Sequence, residues 1–429
     1  MVMVRLTPGG PGAAYGRHMA RSPSAPSFWR SPLRGPWLTS VLGVALLGGI
    51  TVLFVTGLLS YAAYSPDLSP VNDKTPGKGV LGFYLFPWPT GPRWLYRLTE
   101  GVHVTLGLTL IPVLLAKLWS VVPLLFRLPP ARSVAHALER LSLLFLVGGV
   151  LFEFVTGVLN IQLDYVFPGS FYPLHFYGAW VFFAAFVVHV LLRAPAAWRA
   201  LRGPREEPGG LVAPEPAEPT VSRRGALAFV GGGSLLLLAT TAGQNFDGVP
   251  RRTALLAPHG GAEPGGGPGA FQINKTARYA GIRAAETSEE AWRLVVTGRG
   301  GRTVRLSRAD LLALPQHEAA LPIACVEGWS TSDQRWRGVR LRDLAALAGD
   351  PGDVGDPPDL LVESLQRHGA FRRAALRAGQ VADPRSLLAL AVNGAGLTLD
   401  HGYPARVIVP AAPGVLNTKW VARLTFGDL

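Results

Sequence analysis

Residues 38–60 read LTSVLGVALLGGITVLFVTGLLS. No charge interrupts them, and a helix of about 20 apolar residues spans the hydrocarbon of a bilayer. The stretch predicts a membrane-crossing helix, so the fold starts in lipid. Four further apolar runs follow, at about 101–126, 141–161, 174–193 and 225–243. The last is the weakest, with Gly231, Gly232, Gly233 and Ser234 at its centre. The first four runs predict an all-α transmembrane bundle over 38–200. A fifth, separate helix follows at 223–243.

The chain is 48% apolar and carries a net charge of +13, unevenly placed. Arg5, Arg17, Arg21, Arg30 and Arg34 precede the first run without an acid among them. Arg127, Arg132 and Arg140 flank the turn between runs two and three, and Arg193, Arg199, Arg202 and Arg205 follow run four. Bases clustered on alternate connections set membrane orientation. They put the N-terminus inside, in the cytoplasm, and everything after about 244 outside. No basic stripe interleaved with aromatics is present, which argues against nucleic acid as a partner. Residues 1–37, rich in Pro, Gly and Arg, are expected to be a disordered tail. Residues 201–222 are expected to be a cytoplasmic linker, and 244–270, with its Gly- and Pro-rich centre, a flexible one. From 271 to 429 the pattern turns globular: WRLVVTG and ARVIVPA suit strands, SRADLLALP and LRDLAAL short helices. That mixture predicts an α+β domain.

Histidines stand at telling places in the apolar runs. His103 opens the second, and His175 and His189 lie fourteen residues apart on the fourth. Fourteen residues are close to four helical turns, so those two rings share a face about 21 Å apart. Runs two and four point the same way, which sets His103 and His175 at matching depth. Facing imidazoles can clamp a haem iron from both sides, against the plainer reading of interfacial histidines at helix ends. The pattern resembles di-haem b-type cytochromes, and that resemblance implies a second haem at His189. Fourteen residues after His103, however, stands Lys117, and His136 is the other candidate partner. The expectation is one haem b, with His189 a candidate ligand for a second. Glu153 is either a quinone or proton group or a partner of Lys117 or Arg140.

Ser222-Arg223-Arg224, ahead of the fifth run, either is a positive-inside flank or resembles an internal, uncleaved twin-arginine export signal. That system moves domains already folded.

IACVEGWS, 323–330, holds the only cysteine. A single thiol excludes a disulfide framework and a cysteine-rich zinc site. Cys325 is then a buried small side chain, a nucleophile served by His317, His368 or His401, or a metal thiolate. Its surroundings favour the last. ACVEGWSTSDQRWRGVRLRDLAAL resembles the molybdopterin-binding domain of the sulfite oxidase superfamily, whose cysteine ligates molybdenum. FQINKTA, LLVESL and HGYPARVIVPAAPGVLNTKWVARLTF resemble three further segments of that domain in the right order. The resemblance covers 271–429 and implies a cofactor set of Asn274, Ser364, His401, Arg406, Asn417, Thr418 and Lys419. Arginine, lysine and exposed backbone N–H groups suit the phosphate of a pterin tail.

The departures carry information. Sulfite oxidases hold their anionic substrate with an arginine five residues after the cysteine; here that residue is Ser330. Their immunoglobulin-like dimerisation domain is not expected here, since the sequence stops at Leu429. The C-V-E-x-W-S form looks more like bacterial catalytic subunits that reduce protein methionine sulfoxide, although His401 replaces the asparagine of that group. Trp329, Trp336 and Arg337 are expected to line the access path or, for the tryptophans, to be core.

The combined expectation is a multi-domain protein in the cell membrane, in which a haem-binding bundle is followed by an extracytoplasmic α+β molybdopterin domain. Electrons would run from quinol through haem to molybdenum at Cys325, removing oxygen from a small or protein-borne sulfoxide. Oxidation of a sulfite-like anion, with Arg335, Arg337 or Arg372 holding it, is the reverse reading. A plain transmembrane electron carrier is the third.

Overall fold

The computed structural model describes residues 23, 25, 28–72, 86–126, 133–161, 171–203, 216–257, 267–273, 275–349, 357–367 and 371–429. Asn274 and His368 lie outside the described residues, as do the side chain of His136, most of the expected N-terminal tail and residues 204–215 of the expected cytoplasmic linker.

Each apolar run lies on a long helix: α1 Pro36–Ala63, α2 Leu95–Leu125, α3 Val134–Asn160, α4 Tyr172–Arg202 and α5 Arg223–Thr241. All five are long and apolar enough to cross a membrane. Their exposed faces carry leucine, valine and phenylalanine, as at Leu144, Leu191, Leu192, Phe229 and Leu235. Extended apolar surface of this kind marks a membrane- or partner-contacting face.

Two compact units make up the chain. The first contains residues 1–51, 109–155 and 177–236. Small residues let its helices close up: a Cβ on Gly149 would stand 3.1 Å from Phe182 Cβ. Polar groups in it find partners across helices. Lys117 Nζ donates to the Thr39 carbonyl at 2.6 Å, and Thr39 Oγ1 donates to Ser120 Oγ at 3.0 Å.

The second unit contains residues 52–108, 156–176 and 237–429. Its α+β part holds two sheets. One runs in the order β2 (Thr303–Leu306), β1 (Leu294–Thr297), β10 (Val421–Phe426), β5 (Leu360–Ser364), β6 (Arg373–Leu376), with only the β1–β10 pair parallel. The other runs β3 (His317–Leu321), β4 (Gln334–Arg340), β7 (Leu387–Val392), β8 (Ala395–Gly396), and β9 (Arg406–Ile408) also pairs with β7. Alternation along the strands sends Leu294, Val296, Val362 and Leu424 into one core with Val339, Leu388, Leu390 and Val407. A second cluster gathers Phe271, Leu321, Ile323, Trp329, Trp336, Ala389 and Ile408 around Cys325.

The described residues between α1 and α2 are bound to this α+β part. Asn72 behaves as a strand residue would: its Nδ2 donates to Ala375 O at 2.8 Å and its Oδ1 accepts from Ala375 N at 2.9 Å. Trp88 Nε1 donates to Ala411 O at 2.7 Å, Arg93 pairs with Asp333 at 2.6 Å, and Asp67 pairs with Arg377.

The expected flexible linker at 244–270 is corrected over its first part. A 3₁₀ turn, Ala242–Asn245, leads into α6, Val249–Arg252. Arg251 is buried there; its guanidinium donates to Ser330 O at 2.6 Å and Asp247 Oδ1 at 2.9 Å, with Gln272 against it. A buried cation needs its donors matched, and these partners fix the segment. Composition gave no sign of it because the partners lie far along the chain.

Candidate active site

Cys325 sits in a tight reversal between Ala324 and Ser330, which bridge antiparallel. Its N–H donates to Trp329 O at 2.9 Å and its carbonyl accepts from Gly328 N at 3.1 Å. The turn needs φ of +85° at residue 328, a conformation natural to glycine. Its carbonyl neighbour Ala324 O accepts from Gly414 N at 2.7 Å, so the closing segment seats directly on the loop. The thiol lies 3.5 Å from Glu327 Oε2, which also accepts from Trp329 Nε1 at 2.8 Å. Burial, and then the Glu327 charge, push the thiol well above its ordinary range. A metal bound to such a sulfur would deprotonate it.

The closing segment brings most of the expected cofactor residues together. Lys419 Nζ donates to the carbonyls of Lys275 and Asp400, each at 2.8 Å. Ser364 Oγ donates to Lys419 O at 2.7 Å. His401 is wedged between Thr398, whose hydroxyl lies 2.8 Å from Nδ1, and the Phe271 ring, 4.0 Å away between centroids. Arg406 lies over Trp336 at 5.4 Å. Asn417 Oδ1 accepts from Val409 N at 2.8 Å, and the Thr418 carbonyl accepts from Val407 N at 2.9 Å. Gly402 lets these pieces meet: a Cβ there would stand 3.2 Å from both Arg406 and Lys419 Cβ atoms. Asn274 falls in the gap between Ile273 and Lys275, outside the described residues.

The electrostatics of this cluster ask for an anion. Burial, then Arg406 and Lys419, pull His401 down to about 4, so it is neutral at pH 7. Burial pulls Arg406 down to about 9, and burial with the Arg406 charge holds Lys419 well below the usual lysine range. Lys275 is lowered by burial against the opposing pull of Cys325 and Glu327. Arg406 Nε and Asn417 Nδ2 are buried donors with no hydrogen-bond partner among the described residues. Unmet buried donors beside crowded cations are costly unless an anion joins them. A phosphate-bearing pterin whose metal takes a thiolate would fit this donor set.

The family described as oxidoreductase molybdopterin binding domain matches residues 281–428. The C-terminal region is an oxidoreductase molybdopterin-binding domain. Sulfite oxidase from Gallus gallus is 33% identical over 172 residues, which are 35% of this chain and 37% of that protein. The uncharacterized oxidoreductase YuiH of Bacillus subtilis is 34% identical over 135 residues, 32% of this chain and 65% of its own. A solved structure, the sulfane dehydrogenase SoxCD from Paracoccus pantotrophus, matches over 33% of this chain and 39% of that chain, with 25% identity and a TM-score of 0.30. The chain thus spans about a third to two thirds of the length of these relatives.

Beside the molybdopterin-binding domain, the same unit holds a pair of histidines from the helices. The His103 and His175 rings stand perpendicular, with centroids 6.2 Å apart. His103 Nδ1 lies 3.0 Å from Leu53 O and 3.1 Å from Thr56 Oγ1. A carbonyl only accepts, so Nδ1 carries the proton and Nε2 the lone pair. His175 Nδ1 lies 3.0 Å from Thr156 Oγ1. Gly57 and Gly157 seat the rings: a Cβ would stand 3.1 Å from His103 Cε1 and 3.2 Å from His175 Cε1. The expected site residues did not include these threonines and glycines, though the sequence signals them. FVTG occurs at 54–57 and again at 154–157.

Of the residues expected near the access path, Trp329 and Trp336 are packed with Cys325 in the second core cluster. Arg335 and Arg337 are exposed and alternate with the buried Trp336 on β4, so they lie on the strand face away from Cys325. His189 belongs to the first unit.

Proposed function

We propose that the chain is a membrane-bound oxidoreductase. Electrons pass from quinol, through one haem b held by His103 and His175, to a molybdenum centre held by Cys325, and an oxygen atom is removed from an exported sulfoxide-type substrate. The observation that carries this reading is the closeness of the histidine pair to the cysteine loop. Val104 follows His103 in α2, and a Cβ on Gly328 would stand 2.5 Å from Val104 Cβ. Gly328 N–H in turn donates to Cys325 O. Covalent bonds, one van der Waals contact and one hydrogen bond therefore connect the two candidate redox sites.

The histidine pair suits a haem iron. Metal–imidazole bonds of about 2 Å on opposite sides of one ion put ring centres roughly 6 Å apart, and the rings are 6.2 Å apart. The Thr56 and Thr156 contacts orient each ring, as partners behind metal-binding histidines do. When bound, the molybdenum centre supplies two-electron oxygen-atom chemistry and the haem supplies single-electron steps. Cys325 would anchor the metal, Glu327 and Trp329 would fix the thiolate's position, and Arg406, Lys419 and Asn417 would hold the pterin phosphate. Lys117, at the depth matching His189, donates its ammonium to the Thr39 carbonyl. That hydrogen bond engages the nitrogen within the bundle, which supports one haem.

Position 330 supports an uncharged substrate. Ser330 is fully buried, its hydroxyl donates to Asn245 Oδ1 at 3.0 Å, and the neighbouring Arg251 is occupied with Ser330 O, Asp247 and Gln272. No cation is presented from that point of the loop to an anionic substrate. The sulfite oxidases among the relatives favour a second reading, oxidation of a sulfite-like anion with electrons delivered to quinone. In both, basic connections place the N-terminus in the cytoplasm and the molybdenum site outside, and Ser222-Arg223-Arg224 serves export of the folded domain.

Metal and haem quantitation on the detergent-purified chain tests the proposal. One molybdenum and one haem per chain are expected. Cys325→Ser keeps haem and loses turnover; His175→Ala keeps molybdopterin and loses quinol-driven reduction. Methionine sulfoxide and sulfite assays separate the two directions.

A further inference from the structure

The reaction needs protons as well as electrons. Removing oxygen from a substrate XO breaks one X–O bond and forms two O–H bonds: XO plus two electrons and two protons gives X and water. Quinol supplies the electrons. The reverse reaction releases the same two protons. The Cys325 loop is buried, so the protons need a built route.

One face of α2 provides it. Tyr96, Glu100 and Val104 are spaced four apart and share that face. Tyr96 packs in a cluster with Ala324, Ala62, Ala63 and Trp88, and Val104 fills the space against Gly328. Two contacts at the ends of the stripe thus land on the two ends of the 324–328 turn, and Glu100 lies between them. Glu100 is the only acidic residue of α2. It is buried, and Ser60 Oγ donates to its Oε2 at 2.6 Å. The Tyr96 hydroxyl is buried and makes no well-directed hydrogen bond among the described residues, with the buried Tyr64 phenol beside it. Both tyrosines lie within electrostatic reach of Glu100 and of Cys325.

A lone carboxyl and two phenols buried at the end of apolar helices are expensive to keep for packing alone. We propose that Glu100, with Tyr96 and Tyr64, forms the proton route to the molybdenum site, Glu100 taking up each proton and the phenols handing it on. The inference rests on the molybdenum reading of Cys325 and holds for either direction of the reaction. It also makes the apolar helices part of the active site, since the groups that move protons come from α2 and the turn after α1.

The test uses the full chain in detergent. Glu100→Gln, Glu100→Asp and Tyr96→Phe are compared with wild type for molybdenum content, haem spectrum, turnover with a reduced soluble dye as donor, and the solvent deuterium isotope effect. Metal content and haem spectrum stay unchanged in the variants. Turnover falls roughly 100-fold in Glu100→Gln, the size of a lost acid–base group, partly returns in Glu100→Asp, and falls in Tyr96→Phe. The isotope effect grows in the slowed variants as proton transfer becomes limiting. Metal-loaded variants with wild-type turnover and isotope effect overturn this inference alone. A wild-type chain that binds no molybdenum overturns it together with the function proposed above.

Discussion

Val104 occupies the space that a side chain on Gly328 would need. A Cβ at 328 would stand 2.5 Å from Val104 Cβ and 2.6 Å from its Cγ1, and φ at 328 is +85°. Sterics and backbone conformation both require glycine there, 224 positions along the chain from its neighbour. The cysteine loop and the histidine-bearing helix are shaped to one another.

Gly328→Ala is therefore expected to do two things. Strain at a positive φ and the clash with Val104 cost about 1–3 kcal/mol, read as a lowered unfolding midpoint. Because the contact also connects the candidate redox sites, quinol-driven reduction of the molybdenum site slows more than reduction by a soluble dye. Equal slowing would mean that the contact is structural only.

The histidine pair gives a second expectation. His103→Ala and His175→Ala are each expected to remove the haem absorbance, since either leaves only one of the two imidazoles that would hold the group. His189→Ala leaves the haem content at one per chain. Haem quantitation on the three variants decides between one site and two; loss of half the haem in His189→Ala would point to a second.

The cationic cluster predicts cofactor retention. Arg406→Met keeps the apolar contact with Trp336 but removes the guanidinium, whose Nε has no partner among the described residues. The variant should fold and purify with little pterin. Measured as released pterin fluorescence per chain, near-normal content would put the phosphate elsewhere.

Acid sensitivity follows from His401. Its folded pKa is about 4 against an ordinary 6.5, because of burial and then the Arg406 and Lys419 charges. The unfolded chain binds more protons between those values, so stability is full above pH 6.5 and falls as pH drops toward 4. The loss is on the order of 2–3 kcal/mol. Chemical denaturation of cofactor-free chain across that range should show it, and His401→Asn should flatten the slope.

The sequence made the five apolar helices readable because their apolar character is additive along a local run. It also made the Cys325 loop and its closing segment readable, since HGYPARVIVPAAPGVLNTKW keeps its donors within one stretch. The closeness of the His103 and His175 rings was legible from helix direction. Several features were not. Arg251 reads as part of a linker, because its partners at Ser330 and Gln272 are remote in sequence. Arg337 reads as a pocket residue until strand alternation turns it away from Trp336. Thr56 and Thr156 are ordinary helix residues until the FVTG repeat is set beside the two histidines they touch. Glu100 and Tyr96 gain meaning only when α2 is seen against residues 324–328.

The central claim is that electrons reach Cys325 from a haem on His103 and His175. The most direct measurement is the Soret band of the pre-reduced chain in stopped flow after adding methionine sulfoxide. The account predicts rapid reoxidation in wild type and a reduced haem that persists in Cys325→Ser. Reoxidation of Cys325→Ser at the wild-type rate would contradict it.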